Sequence, residues 1–187
     1  EIISMAYNIY KMFGIDNLEI KINSLGSGNI RKKYGEDLKE SLMPFKNDFN
    51  ETELIRLEKN PLRILDSKNK NTQKILNENA PNIFDYISNE DNQHFNDVTN
   101  ILDQLKIKYI HNQKLVRGLD YYTKTVFEVT SSDLGAQDAL CGGGRYNNLV
   151  QELGGKNIPA IGFAAGIERL ILAMNLENNR TINTDIY

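Results

Sequence analysis

The sequence of 187 residues predicts an α+β fold, and three patterns along the chain indicate that class. Apolar residues at helical spacing open the chain, and a long polar stretch with the same periodicity follows them. After residue 106, short segments rich in β-branched and aromatic residues alternate with glycines, as strands joined by turns do. Helices and strands therefore occupy largely separate parts of the chain.

Residues 1–26 are predicted to form one helix and one strand. The helix is indicated by apolar residues three and four positions apart, followed by Gly14 at a position typical of a helix end. These apolar residues are Ile2, Met5, Ala6, Ile9 and Phe13. Between residues 18 and 22, apolar residues alternate with Glu19 and Lys21, which predicts a strand with one buried face. Residues 23–28 are rich in Asn, Ser and Gly and predict a turn.

Residues 27–106 predict a small helical module. Two apolar stripes at helical spacing run over residues 30–45 and 95–105. Two prolines interrupt the helical pattern, because proline lacks an amide proton and restricts the residue before it. They are Pro61 and Pro81. Ser88 is predicted to cap the last helix of the module, with Asp91 three residues later in a variant of the capping box.

Residues 107–174 predict several strands and a final helix. The predicted strands cover residues 107–110, 125–130, 139–141 and 161–164. Nine of the 13 glycines lie between Gly118 and Gly166, and this density inside strands is typical of a close approach by backbone or ligand. The final helix carries Ile167, Leu170, Ile171 and Met174. Residues 175–187 are interpreted as a polar linker that leads into the start of another strand.

Composition excludes several classes of protein. Apolar residues make up 40% of the chain, but no apolar run approaches the ~20 residues of a membrane span, so we expect a soluble protein. Glu1 opens a helical pattern and not a signal peptide. A net charge of -3 argues against a surface wholly dedicated to nucleic acid. Cys141 is the single cysteine, which excludes an internal disulfide, and the histidines lack zinc-site spacing. We therefore expect a cytoplasmic protein without a resident metal.

The segment from Arg117 to Tyr122, RGLDYY, holds residue types suited to an anion and a polar ring. Arg117 supplies a permanent cation for a phosphate or carboxylate, while Tyr121 and Tyr122 can stack and donate hydrogen bonds. The alternative is that Arg117 pairs with Asp120 and one tyrosine fills the core. Spacing by itself does not decide between these interpretations.

Two glycine-rich segments offer further candidate sites. Residues 141–146 lead from a strand towards a helical pattern, which indicates either phosphate binding at a helix N-terminus or a glycine-lined strand beside a small-molecule pocket. Cys141 itself is predicted to pack as a small apolar residue. Arg169 lies in the first turn of the final helix, where a cation opposes the helix dipole. A bound phosphate would resolve that conflict, and so would neutralisation by Glu168 or another acid.

These residues resemble a known family. The stretch LVRGLDYYTKTVFE, residues 115–128, is similar to the histidine-specific segment of histidyl-tRNA synthetases, and PAIGFAAGIERL, residues 159–170, resembles motif 3 of class II synthetases. CGGGRYNNLV lies between them, and NSLG at 23–26 and NPLRILDSK at 60–68 also resemble family segments. The resemblance covers nearly the whole chain and implies part of the class II antiparallel sheet, flanked by helices and carrying an inserted helical module.

The resemblance also implies a division of the chain and an activity. It implies catalytic core at 1–26, a helical insertion at 27–106, core with the histidine-specific segment and motif 3 at 107–174, and at 175–187 a linker and the start of an anticodon-binding domain. The implied enzyme is a homodimer that uses ATP with Mg²⁺ to convert histidine to histidyl-adenylate and then transfers the histidyl group to tRNA(His). It holds no tightly bound cofactor.

Family membership implies roles for individual residues. Arg117 would contact the α-phosphate and the histidine carboxylate, while Tyr121 and Tyr122 would line the imidazole pocket. Arg169 would hold the far phosphate of a bent ATP beside Gly166. The residues implied to border the amino-acid pocket are Gly143, Tyr146 and Gly162.

The chain contains no segment resembling motif 1, which makes the dimer interface, or motif 2, whose arginine grips ATP. We therefore expect a piece of a longer synthetase that does not aminoacylate by itself. One alternative is a non-catalytic relative, such as the regulatory subunit of ATP phosphoribosyltransferase or a sensor of uncharged tRNA. Intact Arg117, Tyr121, Tyr122 and Arg169 count against it. Another is an RNA-binding module whose phosphate contacts are Arg31, Lys32, Lys33, Lys68 and Lys70.

Overall fold

The structure, a computed structural model, describes residues 1–27, 30–118, 121–135 and 138–174. In these ranges the α-helices are α1 Ile2–Met12, α2 Ile30–Leu42, α3 Glu51–Lys59, α4 Lys70–Asn79, α5 Asn89–Gln104, α6 Leu149–Glu152 and α7 Ile167–Ala173. The strands are β1 Leu18–Ser24, β2 Ile110–His111, β3 Thr123–Ser131, β4 Ala139–Arg145 and β5 Ile161–Ala165. Short 3₁₀-helices cover Met43–Asp48, Pro61–Asp66, Ile83–Asp85 and Ser132–Leu134. The linker expected at residues 175–187 lies outside the described residues.

The strands form one mixed sheet in the order β2-β1-β3-β4-β5. β1 and β2 are parallel, and the other neighbours are antiparallel. β3 is the centre of the sheet, since β1 pairs with its whole length, from Leu18 opposite Ser131 to Ser24 opposite Thr125. The prediction of an α+β fold is therefore confirmed. None of the described helices has the length and apolar character needed to cross a membrane.

One face of the sheet carries a hydrophobic core against α1 and α5. Successive side chains of a strand point to opposite faces, so alternate residues of β1, β3 and β4 reach this core. They are Ile20, Ile22, Phe127, Val129 and Cys141. Helices α1 and α5 cover them with Ala6, Tyr10, Phe95 and Leu102. Cys141 is 4% exposed, which confirms the prediction that it packs as a small apolar residue.

A second hydrophobic core joins the helical module to the chain just before and within β3. Leu115, Tyr122 and Val126 share this core with buried residues of α2, α3, α4 and the Pro61–Asp66 turn. Those residues include Tyr34, Leu38, Leu57, Leu62, Ile64, Leu65 and Leu76. Burying such side chains contributes roughly 1.5 to 3 kcal/mol each, so the module and the sheet stabilise each other.

The local signals for helix ends are confirmed. α1 is followed by Gly14 with φ +77°, a conformation that glycine adopts without strain. α3 ends one residue before Asn60, and Pro61 opens a separate 3₁₀ turn. The Ser88 side chain accepts a hydrogen bond from the Asp91 amide, 3.0 Å away, as an N-cap does. The Asp91 carboxylate accepts from the hydroxyl and amide of Ser27, which ties α5 to the end of β1.

Several strand boundaries differ from the prediction, and β4, expected over residues 139–141, continues through Arg145. Residues 107–110 were expected to form a strand, but β2 covers only Ile110 and His111. The reason is that Ile107 takes part in the C-terminal cap of α5. Its amide donates a hydrogen bond to the carbonyl of Leu102, and Lys106 between them has a left-handed φ of 57°. The turn expected at residues 23–28 begins two residues late, because β1 continues through Ser24.

Asn23 explains the extension of β1. Its side chain is fully buried and donates to the carbonyls of Gln113 and Leu115, both 3.0 Å away. These carbonyls lie about 90 positions along the chain, so local composition gives no sign of the partnership. The amide therefore anchors the segment that leads to Arg117.

Replacing Asn23 with Ala is expected to lower the free energy of unfolding by about 2 to 3 kcal/mol, because two carbonyls lose their donor in a buried place. Urea unfolding measures this change. Asn100→Ala, at an exposed position of α5, is the control and is expected to change stability by less than about 0.5 kcal/mol. A loss below about 1 kcal/mol for Asn23→Ala would contradict the anchoring role.

Glu53 is the polar centre of the helical module. It is 3% exposed and accepts hydrogen bonds from the Ser67 hydroxyl, the Thr72 hydroxyl at 2.8 Å and the Asn50 amide at 3.1 Å. Burial by itself acts to raise the pKa of Glu53, but these donors outweigh it and the net pKa is lowered. The ionised carboxylate therefore holds α3 to the start of α4.

Glu53→Gln is expected to destabilise the protein by about 2 to 4 kcal/mol at pH 7, because a buried charge-assisted network is disrupted. The lowered pKa means that the stabilisation is complete above the unfolded-state pKa and is lost as the pH falls through the folded-state pKa. The difference between wild type and variant should therefore shrink from pH 7 towards about pH 3 to 4. Urea titrations at several pH values test this, and a constant difference would refute it.

Candidate active site

Arg117 lies across the sheet and pairs with Glu128. Its Nη1 is 2.7 Å from Oε1 of Glu128 in β3, and the two side chains are 26% and 21% exposed. A Cβ atom at Gly142, the β4 residue opposite Glu128, would overlap the guanidinium. The absence of a side chain at Gly142 therefore creates the space for Arg117. Asp120, the partner considered from the sequence, lies outside the described residues.

Three tyrosines form a cluster next to Arg117. The ring centroids of Tyr121 and Tyr122 are 4.7 Å apart, and those of Tyr121 and Tyr146 are 5.6 Å apart. Burial, with a smaller contribution from Tyr121, raises the pKa of Tyr122 to about 12. Like any tyrosine phenol of ordinary or higher pKa, the Tyr122 phenol is protonated at neutral pH and is a hydrogen-bond donor.

Glycines of β4 and β5 lie directly under these tyrosine rings. A Cβ at Gly144 would lie 2.9 Å from Cδ1 of Tyr122, and a Cβ at Gly162 would overlap the hydroxyl of Tyr146. Gly142 and Gly144 are two positions apart in β4 and share a face, so that face offers a thin surface under Arg117 and the tyrosines. The interpretation of residues 141–146 as a glycine-lined strand agrees with this arrangement.

Gly143 has a different environment from its neighbours. A Cβ at this position would overlap the carbonyl oxygen of Gly162 and would also crowd Phe163, the residue that pairs with it in β5. Because side chains alternate along a strand, Gly143 faces away from Arg117. Its close contact is with the neighbouring strand and not with the tyrosine rings.

Arg169 lies beyond the other end of β4. Its Nη1 donates to the carbonyl of Ala139 at 3.1 Å, and its aliphatic stem packs on Gly166, the N-cap of α7. Strand residues rise about 3.4 Å each. Measured along β4, the tyrosine contact at Gly144 is therefore about 7 Å from Arg117 at Gly142, and the Arg169 contact at Ala139 is about 10 Å farther. Along β4, the contacts with Tyr122, Arg117 and Arg169 therefore follow in that order, and the Arg169 contact is with a main-chain carbonyl.

A polar cleft of about 360 Å³ adjoins the Arg117–Glu128 pair. Its charged lining residues are Lys21, Asp66, Lys68, Lys114, Glu128 and Asp138. Three are cationic and three are acidic, and Lys21 pairs with Asp138 at 3.2 Å. These six charges balance, and Arg117 is the cation that adjoins the cleft through its contact with Glu128.

Glu128 was not assigned a role from the sequence, whereas Gly142 and Gly144 belong to the glycine-rich candidate segment 141–146. Glu128 stands between the core residues Phe127 and Val129, so strand alternation places it on the opposite, accessible face. That alternation was a usable signal for a charged residue of the site. Its pairing with Arg117 depended on the register of two strands.

A family model described as "Histidyl-tRNA synthetase" matches residues 1–170. The chain belongs to the histidyl-tRNA synthetase family. Relatives named histidine–tRNA ligase include one from Picosynechococcus sp., 50% identical over 174 residues, and one from Prochlorococcus marinus, 48% identical over 187 residues. The matches cover 93% and 100% of this chain but 41% and 44% of the relatives, so the chain spans less than half of their length.

Solved structures show the same family fold. The apo histidyl-tRNA synthetase of S. aureus aligns with a TM-score of 0.70 and 38% identity, over 95% of this chain and 43% of that chain. A protein from Bacillus halodurans, whose description names an ATP phosphoribosyltransferase regulatory subunit/histidyl-tRNA synthetase, aligns with a TM-score of 0.59. At 21% identity over 93% of this chain and 48% of that one, this second match shows the fold alone.

The two adjacent glycines give a matched test of the site's geometry. Gly142→Ala meets only the movable end of Arg117, so we expect a stability loss of at most about 1 kcal/mol. Gly143→Ala meets the backbone of β5, and we expect a loss above about 3 kcal/mol because two strands must separate. Urea unfolding of both variants decides this, and equal losses would contradict the assignment of faces.

Proposed function

We propose that this chain carries the histidine-binding and α-phosphate-binding part of the catalytic domain of a histidine–tRNA ligase. In the first reaction, a carboxylate oxygen of histidine bonds to the α-phosphorus of ATP, and the bond to the β-phosphate oxygen breaks to release pyrophosphate. In the second, a hydroxyl of the terminal adenosine of tRNA(His) bonds to the histidyl carbonyl carbon and AMP leaves. The order of tyrosines, Arg117 and Arg169 along β4 carries this proposal.

Arg117 is proposed to contact the α-phosphate and the histidine carboxylate. Charge builds on the phosphate oxygens during the first reaction, so a fixed cation beside them lowers the barrier. A guanidinium has five N–H donors in a planar fork, so Arg117 can keep its bond to Glu128 while it holds an oxyanion. Glu128 fixes the side chain before the substrates arrive, which reduces the cost of ordering it.

The tyrosine cluster is proposed to bind the histidine imidazole. A neutral imidazole has one nitrogen that accepts and one that donates a hydrogen bond, and the protonated phenol of Tyr122 suits the accepting nitrogen. Tyr121 supplies a ring beside it. Tyr146 and the thin backbone at Gly162 border the same space, and Gly143 contributes only main chain.

Arg169 is proposed to hold the far phosphate of ATP, with Gly166 allowing close approach at the start of α7. A cation at a helix N-terminus is unfavourable by up to about 1 kcal/mol, and a bound phosphate offsets that cost. Mg²⁺ is expected to accompany ATP. Within the described part of the chain, no group of three acidic, histidine or cysteine side chains could hold a metal.

We further propose that residues 27–106 are an insertion into a catalytic core formed by residues 1–26 and 107–174, in a longer cytoplasmic homodimer. Identity favours a ligase over a regulatory relative, since relatives named histidine–tRNA ligase are 47% to 50% identical. The basic residues considered for RNA binding are divided, because Arg31 contacts the carbonyl of Tyr122 whereas the lysines are exposed. Those lysines are Lys32, Lys33, Lys68 and Lys70.

In a longer ligase that contains this chain, Arg117→Ala is expected to lower kcat of histidine-dependent ATP–pyrophosphate exchange by about 10² to 10³-fold. The reason is loss of the cation at the α-phosphate. Lys46→Ala, at an exposed position of the helical module, is the control and should leave the rate unchanged. Circular dichroism and thermal melting check that both variants fold. Retention of more than about a tenth of the rate by Arg117→Ala would refute the role.

A further inference from the structure

Two arginines of the helical module contact the backbone beside Arg117 and the tyrosine cluster. The stretch that carries Arg117, Tyr121 and Tyr122 is called the segment below. Arg63 donates from Nη2 to the carbonyl of Gly118, the residue after Arg117. Arg31 donates from Nη1 to the carbonyl of Tyr122 at 3.4 Å. Both acceptors are main-chain oxygens, so these bonds act on the path of the backbone.

The two arginines belong to one packed unit. Arg31 lies in the first turn of α2, and Arg63 lies in the turn Pro61–Asp66. A Cβ at Gly35 of α2 would be 3.1 Å from Cδ1 of Leu62, which shows how closely the two elements pack. Leu62 and Ile64, the neighbours of Arg63, are 5% and 0% exposed. The backbone that carries Arg63 is therefore held firmly, although its own side chain is exposed.

The same unit also packs against the segment through apolar side chains. Leu115 and Tyr122 belong to the hydrophobic core that contains Leu62 and Leu65. Apolar packing sets the approximate position of the segment, but it is not directional. Hydrogen bonds to the carbonyls of Gly118 and Tyr122 are directional and charge-assisted, so they add orientation. A displacement of about 1 Å at reacting groups is enough to lower a rate substantially.

We propose that Arg63, with Arg31, is a positioning residue that sets the backbone around Arg117 and the tyrosine cluster for binding histidine. The inference rests on the proposed function. This role makes the helical module part of the amino-acid site. Arg63 lies outside the proposed catalytic core, but it positions the residues that are proposed to touch the substrate. Arg169 belongs to α7 and not to this module. The residue proposed to hold the far phosphate of ATP therefore does not depend on Arg63 or Arg31.

The test compares Arg63→Met, Arg63→Lys and the control Lys74→Met, an exposed cation of α4 in the same module. Methionine keeps an unbranched apolar stem but removes the donors, and lysine restores one donor. Hydrogen–deuterium exchange of the 187-residue chain follows the amides of residues 115–124, with β4 as the internal reference. Steady-state ATP–pyrophosphate exchange of a longer ligase containing the chain gives KM for histidine and for ATP.

For Arg63→Met we expect faster amide exchange in residues 115–124 with unchanged exchange in β4. KM for histidine should rise about fivefold to tenfold, which corresponds to the loss of one charge-assisted hydrogen bond at an exposed place. KM for ATP should change by less than about twofold, because Arg169 is unaffected. Arg63→Lys should recover most of the loss, and Lys74→Met should match wild type.

Several outcomes would overturn the positioning role. They are unchanged exchange in residues 115–124, an equal rise in exchange throughout β4, or parallel increases in both KM values with a lowered melting temperature. If the wild-type longer ligase instead showed no histidine-dependent ATP–pyrophosphate exchange, the proposed function would be wrong. The hydrogen-exchange comparison would still decide whether Arg63 orders the segment, so the two failures are distinguishable.

Discussion

The guanidinium of Arg117 lies against β4 at a position where the chain has no side chain, and it is bonded there to Glu128 of β3. This contact requires both the glycine at 142 and the antiparallel register that places Glu128 opposite it. A shift of β4 by one residue would place Cys141 or Gly143 opposite Glu128 and would exchange the two faces of β4, so Gly142 would no longer lie under the arginine. The candidate site therefore depends on the pairing of two central strands and not on the loop that carries the arginine.

Glycines in β4 and β5 serve two separate needs. Gly142, Gly144 and Gly162 leave room on one face for an arginine and two tyrosine rings, and Gly144 also lies close to the β3 backbone at Thr125. Gly143 instead allows β5 to lie close on the other side. Glycine inside a strand costs roughly 0.5 to 1 kcal/mol in conformational entropy, and it leaves no side chain to pack. Residues of β3 and β1 on the opposite face, such as Phe127 and Ile22, stabilise the sheet where the glycines do not.

The helical module is connected to the sheet by polar as well as apolar contacts. Asp91, 1% exposed at the start of α5, binds Ser27 and lies 3.4 Å from the ammonium of Lys124 in β3. The module itself is ordered around Glu53, and its Arg63 reaches the backbone beside Arg117. These contacts connect the module to the residues proposed to bind histidine. The positioning role proposed for Arg63 would make the module part of the amino-acid site.

The sequence by itself determined the features that depend on neighbouring residues. The α+β class, the end of α1 at Gly14, the breaks at the prolines and the cap of α5 by Ser88 all follow from local periodicity and backbone chemistry. The motif order also indicated the synthetase family. Only the tertiary structure decided the features that join distant segments. Asn23 resembles a turn residue in the sequence, because the carbonyls that it binds lie about 90 positions away. The pairing of Arg117 with Glu128 depends on the register of β3. Arg63 and Gly118 meet across 55 positions, because hydrogen bonds formed by chain folding leave no periodic trace in the sequence.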